Sequence, residues 1–355
     1  MQRFLTFLWL FLALIATGRA AAVDAPPAGA ETPAPAKIAH VALLLPLNST
    51  AFGRAADAVK QGFMAASAVQ AGSLPIKLYS SGDQVDDIVS AYSQATQAGA
   101  RIVVGPLTKN AVTALAGSQL VSVPTLALNL PEKEGALPPQ LYLLGLAADV
   151  EARQIAQAAF AEGRKTATIV ASGNALAKRI QAAFAAEWAT QGGTLVDQLT
   201  FAGNADTIRD ATQKNKADML FLAMDGKDAR LLRPYLDPAI PAYATSQIYG
   251  GNHNPQKYHD LNGIRFIDMP WLLQPDHMAV MVYPRPEAAL GADMERLYAL
   301  GIDAWRLSLM LLNQTDGNAL NLDGVTGQLS LGASRQFNRS GVRAEFRDGQ
   351  AVLVQ

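Results

Sequence analysis

Four polar stretches hold the residues with which this chain could do chemistry. Asn48-Ser49-Thr50 follows the apolar run Ile38–Pro46, and Ser172-Gly173-Asn174 follows Thr166–Ala171. Asp225-Gly226 follows Met219–Met224, and Ser246 follows Pro241–Thr245. Each sits directly behind a stretch of strand composition. The two serine elbows could bind an anion or a carbonyl through hydroxyl and free main-chain N–H groups. Asp225 and Ser246 could hold the amine or hydroxyl of a ligand. The elbows and Asp225 have an equally physical alternative, because the same residue types cap helices. Gly105, in Gly105-Pro106-Leu107, could let the backbone approach a ligand closely or could simply make a tight turn. Asn129 ends another apolar stretch and leaves the same two readings open as Asp225.

Other chemistry is poorly represented. His253, His259 and Asp260 share a loop, but they lack the H-x-x-x-H register of a helical metal site. There is no cysteine, so disulfides, thiolate metal sites, cysteine nucleophiles and lipid attachment through cysteine are ruled out. No G-x-S-x-G, Walker or G-x-G-x-x-G motif occurs. Nothing sets a base beside a nucleophile, so an enzyme is not expected, and neither a metal nor another cofactor is called for.

The elements that must position the polar stretches follow from length and pattern. At 355 residues the chain exceeds a typical single core, so two lobes are expected. Hydrophobic residues make up 50% and charged residues 17%, as in a globular protein, and the net charge of -1 does not indicate a nucleic-acid surface. Arg3, the apolar run Phe4–Ile15 and Ala20-Ala21-Ala22 have the order of a cleaved secretory signal, residues 1–22. The apolar run is short for a membrane span, so no stable transmembrane segment is expected after cleavage. Residues 23–37 carry Pro26, Pro27, Pro33 and Pro35 among alanines and read as a semi-extended tether. A leader followed by a tether suits a protein exported to the periplasm.

From Ile38 onward strands and helices alternate. Ile38–Pro46 is apolar without period-two alternation, the pattern of a strand buried on both faces. Helical composition over 54–71, 85–97 and 108–118 separates strands at 74–79, 101–107 and 124–128. A second series begins with a helix at 148–162. Strands at 166–171, 195–201, 219–224 and 241–245 then alternate with helices at 175–191, 205–215 and 227–235. Such alternation predicts parallel sheets with right-handed crossovers. Extended segments at 141–146 and 264–270, a long helix at 294–313 and a β-rich tail from Gly324 complete the chain. Asp348-Gly349 in that tail is a hairpin signal.

Two wound lobes in series, a late return helix and a β-rich tail resemble the type I periplasmic-binding-protein fold. Within it, Gly105-Pro106-Leu107, Ala244-Thr245-Ser246-Gln247-Ile248-Tyr249, Phe266-Ile267-Asp268-Met269-Pro270-Trp271-Leu272-Leu273 and Leu297–Leu307 stand out. Together they resemble the C-terminal domain of the penicillin-binding-protein activator family, outer-membrane lipoproteins that stimulate peptidoglycan synthases. The resemblance implies an α/β fold of two wound lobes joined by three crossovers. Lobe 1 would be residues 38–147 and 274–319, and lobe 2 residues 148–273 and 320–355. It also implies a non-enzymatic periplasmic regulator whose partner is a penicillin-binding protein. The alternative is a solute-binding protein that closes over a small polar metabolite. Family members carry a lipobox cysteine and the larger ones a helical-repeat domain; this chain departs from both, so a soluble periplasmic form is expected. Asp303 and Arg306, three apart on a helix, are placed to pair. Trp305 is expected in packing, and Asp268 is expected to order a crossing between lobes.

Overall fold

The computed structural model describes residues 37–133, 135–251, 255–314 and 320–354. The expected leader, and the tether as far as residue 36, lie outside the described residues, as does His253. The order of elements is β1 (His40–Leu45), α1 (Gly53–Val69), β2 (Ile76–Ser80), α2 (Val85–Gln97), β3 (Ala100–Val104), α3 (Lys109–Ala116), β4 (Thr125–Ala127) and β5 (Leu141–Leu143). The chain continues with α4 (Ala148–Ala161), β6 (Thr166–Ser172), α5 (Ala175–Thr190), β7 (Thr194–Phe201), α6 (Ala205–Lys214), β8 (Met219–Ala223), α7 (Gly226–Leu232), β9 (Ala242–Ala244) and β10 (Ile264–Asp268). Next come α8 (Pro270–Leu273), α9 (Met278–Met281) and α10 (Ala292–Leu312), followed by β11 (Asn321–Asp323), β12 (Gln328–Leu331), β13 (Phe337–Ser340), β14 (Val342–Arg347) and β15 (Gln350–Leu353).

The first sheet is wholly parallel, in the order β2-β1-β3-β4-β5. Every residue of β1 is buried, as its unbroken apolar sequence requires of a strand covered on both faces. The second sheet runs β15-β14-β10-β9-β8-β6-β7. Its β7, β6, β8, β9 and β10 are parallel, while β14 and β15 add to β10 as an antiparallel hairpin. These are the parallel α/β sheets that the alternating pattern predicts, in the two-sheet arrangement that the resemblance to type I periplasmic-binding proteins implies.

The tail is divided. Residues 320–340, expected with the second lobe, form a small antiparallel sheet, β11-β12-β13. Leu320, Val325, Leu329 and Phe337 bury themselves in the core of the first sheet, beside Trp271, Leu300 and Trp305. Only β14 and β15 join the second sheet, so the chain passes from one half to the other at Gly341 rather than near Leu320. The apolar residues of this segment face the first core, and strand composition alone does not say which core a strand covers.

Helix α10 is anchored in the first half. It lies so close to α1 that a methyl group on Gly62 would overlap the Tyr298 carbonyl, and one on Gly301 would overlap that of Val59. Only glycine permits this backbone-to-backbone approach. Trp305 is 1% exposed and meets Phe63 edge-on with ring centroids 5.1 Å apart; its indole N–H donates to the Gln70 carbonyl. Pro270, read as the end of an extended run, instead opens the short helix α8 as its first residue, the position where a missing N–H costs least.

Candidate functional site

The polar stretches do lie at strand ends, but their groups are mostly occupied by the protein itself. Ser49 is 6% exposed, and its Oγ accepts from the Phe52 N–H at 2.8 Å, at the entry to α1. Asn48 and Thr50 beside it are exposed. Ser172 is buried and donates to Asp228 Oδ2 at 2.5 Å, while Asn174 caps α5 by accepting from the Ala177 N–H. Gly173 is open, its nearest neighbour for an added methyl being the Thr200 methyl group at 4.0 Å. Asp225 caps α7, accepting from the N–H groups of Lys227 and Asp228 at 2.9 Å each. Asn129 donates to the Leu107 carbonyl and accepts from the Leu130 N–H. Gly105 has a φ of +111° and is pressed on the Leu44 carbonyl, so its missing side chain serves backbone packing. His259 packs against Gly349.

Ser246 leads to what these strand ends are for. Its N–H donates to Glu151 Oε2 at 3.0 Å, and its carbonyl accepts from Arg296 Nη2 at 3.0 Å. Arg296 projects from α10 of the first half. It meets Asp268, at the end of β10 in the second, through Nε to Oδ1 at 3.1 Å and Nη2 to Oδ2 at 2.6 Å. Further bonds go to the Tyr249 carbonyl at 2.8 Å and to Asp293 at 2.8 Å. The two side chains are 8% and 1% exposed. Glu151, on α4, pairs with Arg339, on β13, at 2.7 Å, with side chains 5% and 3% exposed. Arg339 also donates to the Thr326 carbonyl, and Gln154 donates to the Arg339 carbonyl. Two buried ion pairs, joined through Ser246, thus clasp the halves together.

Burial works against the charges of both Asp268 and Arg296. It pushes the Asp268 carboxyl up, against the opposing pull of Arg296. It also disfavours the Arg296 cation, yet the charge of Asp268 and the bonds to it win and hold Arg296 charged beyond the ordinary guanidinium range. Asp268 also accepts from the Met269 N–H at 2.8 Å, which orders the start of the crossing. A buried pair of this kind is costly to break, because removing one partner strands the other. Asp303 is a third buried carboxylate, its pKa raised by burial against the bonds from Thr326. It does meet Arg306, at 3.4 Å, but it also holds the turn before β12 through the Val325 N–H, the Thr326 N–H and the Thr326 hydroxyl.

Sequence reading missed Arg296, Glu151 and Arg339. The signal was a charge on the apolar face of a helix: Arg296 shares its stripe with Ala292, Ala299 and Leu300, and Glu151 with Ala148, Ala152 and Ile155, all buried. A full charge there requires a buried partner.

Two grooves flank the clasp. One, of about 610 Å³, lies between the N-termini of α1 and α10 on one side and α7 with residues 247–250, 257 and 258 on the other. Arg54, Asp225, Lys227, Arg230, Gln247, Lys257, Tyr258 and Asp293 line it. The other, of about 980 Å³, lies between residues 130–132, 135–137 and 333–336 on one side and the α4 and α5 residues Asp149, Arg153 and Arg179 on the other. No helix among the described residues is long and apolar enough to cross a membrane.

The comparisons with known proteins agree with this architecture. The profile of the family described as "LppC putative lipoprotein" matches residues 31–349. A relative from Pectobacterium parmentieri, named penicillin-binding protein activator LpoA, is 30% identical over 342 residues, covering 82% of this chain and 50% of its own. The protein of the same name from Dickeya chrysanthemi is 28% identical over 337 residues, 81% of this chain and 48% of its own. The chain therefore spans about half the length of these relatives. Among solved structures, the LpoA C-domain from Haemophilus influenzae, described as a regulator of PBP1A, superposes with a TM-score of 0.74 at 25% identity, covering 89% of this chain and all of that one. A Chromobacterium violaceum protein, described as "a putative branched-chain amino acid ABC transporter", superposes at 0.75 with 41% identity, covering 87% of this chain and all of that one.

Proposed function

Because the chain belongs to the LppC lipoprotein family, we propose that it regulates a penicillin-binding protein, and so peptidoglycan synthesis, by contact and without catalysis. The observation that carries the reading is the clasp. At the strand ends where a solute receptor leaves polar groups free for its ligand, Ser49, Ser172, Asp225 and Ser246 are bonded within the protein. Arg296 and Asp268 tie the halves together there. A protein so built presents a fixed surface to a partner. The relatives named as penicillin-binding protein activators supply the partner's class. Export belongs to the same reading: residues 1–22 act as a cleaved leader and residues 23–37 as a tether, leaving the folded part in the periplasm. The lobes are taken as 38–147 with 274–319 and 148–273 with 341–355, the sheet β11-β12-β13 of residues 320–340 packing on the first core rather than the second.

The test is capture from detergent-solubilised envelope on the tagged chain, followed by glycan-chain synthesis assays with the recovered enzyme. Enrichment of a penicillin-binding protein over a tag control, with faster synthesis on adding the chain, is expected. No enrichment overturns the reading.

A second reading, a solute-binding protein for a small polar metabolite, is favoured by the 41% identity to the C. violaceum protein. In this reading Asn48, Thr50, Gly173 and Asn129 would face the ligand. A thermal-shift panel of amino acids separates the two: a ligand-specific rise supports the receptor, and a flat response rejects it.

A further inference from the structure

We propose that the groove beside the clasp binds a small polyanion, a ligand carrying two or more carboxylate or phosphate groups. The site does not depend on the regulatory reading above.

The argument rests on which charges in the groove are already used. Arg54, Lys227, Arg230 and Lys257 line it together with Arg296. Arg296 is bonded to Asp268 and Asp293. The other four have no carboxylate within ion-pair distance among the described residues; Lys257 has only the Tyr258 ring, 5.1 Å from its ammonium. The carboxylates of the wall, Asp225 and Asp293, are committed to the N–H groups of Lys227 and Asp228 and to Arg296. The Tyr258 hydroxyl is likewise satisfied, accepting from the Gly250 N–H and donating to the Gly251 carbonyl. The lining therefore still holds more cations than carboxylates, with the Gln247 amide beside them. The start of α10 adds to this, since Gly291 offers no side-chain cap and the first-turn residues 292–294 face the groove.

The chain carries almost equal numbers of acidic and basic residues, so this excess is local. Its cost is mutual repulsion, which an anion relieves. The cations come from both halves, Arg54 from α1 and Lys227 and Arg230 from α7, so a ligand with two or more anionic groups can meet both sides at once. An amino acid would also bring an ammonium group to a wall with surplus positive charge. A volume of about 610 Å³ falls in the range of small-molecule sites.

The experiment is calorimetry and thermal shift on the full chain at ionic strength fixed with potassium chloride, with citrate, pyrophosphate and leucine as probes. The site predicts a rise in Tm and measurable heat with citrate, pyrophosphate or both, and none with leucine. The arm that responds distinguishes carboxylate from phosphate chemistry. The double variant Lys227→Glu/Arg230→Glu, and separately Arg54→Glu, should weaken the binding about tenfold or more. These side chains are exposed or half-exposed, so unliganded melting and capture of the synthase should both survive. Equal responses in the wild-type chain and the variants overturn the site, as does no response to either polyanion. Neither result bears on synthase capture, which is scored separately.

Discussion

Arginines and lysines meet the seam between the two halves in two ways. Inside it, Arg296 and Arg339 are buried and each faces a carboxylate at 2.7 Å or less. A few residues away, Arg54, Lys227, Arg230 and Lys257 line an open groove, none of them within ion-pair distance of a carboxylate among the described residues. The first arrangement needs its partners, because a buried charge without one is far less stable than in water. The second is sustained by water and is free to exchange that water for something else. Pairing in the seam is thus a device of architecture, and the unpaired cations beside it are what the proposed polyanion would meet.

Mutagenesis can break this contrast. Asp268→Ala strands Arg296 in the seam and should cost about 3–5 kcal/mol in denaturant unfolding. Replacing both partners, Asp268→Leu with Arg296→Met, should cost clearly less; equal losses would mean that the stranded charge is not the cause. Glu151→Gln keeps the shape but removes the charge opposite Arg339, and a loss of about 2 kcal/mol is expected by the same measurement.

Asp218 sharpens the contrast from outside the seam. It is exposed, and the Lys165 and Thr166 N–H groups that it accepts, both at 3.0 Å, hold its carboxyl below the usual value of 3.8. A depressed native pKa contributes stability that is present above pH 3.8 and fades as the pH falls through the native value. Asp218→Asn should therefore cost at most about 1 kcal/mol near neutral pH, with solvent screening the charge. The gap from wild type should close below pH 3.8, as read from urea melts across pH. The smallest effect belongs to the groove: Lys227→Ala/Arg230→Ala should change unfolding by no more than about 0.5 kcal/mol. A larger loss would mean that those cations have structural partners after all.

Much of the fold was legible because its signals are local. The unbroken apolar run through Val41–Leu45 marked a doubly covered strand, and apolar spacing from Val85 marked α2. The positions of the polar elbows at strand ends were equally readable, since period and composition change there. What they do was not readable, because a cap and a ligand contact use the same residues. Glu151 and Arg339 are 188 residues apart, and Arg296 and Asp268 are 28 apart. Without a map of the fold, no spacing rule pairs them. The tail was half legible for a related reason: its β-rich composition could be read, but composition does not say that Leu329 and Phe337 cover the first core.

Arg296 and Asp303 stand seven residues apart on one helix, two turns and about 10 Å, so they point the same way. One reaches the ends of the large sheet and the other the small one, and α1 grips the rod between them. Their spacing acts as a gauge that sets how far apart two distant parts of the molecule sit. Inserting one residue into that interval would swing one anchor by about 100° relative to the other, and both attachments could not be kept at once.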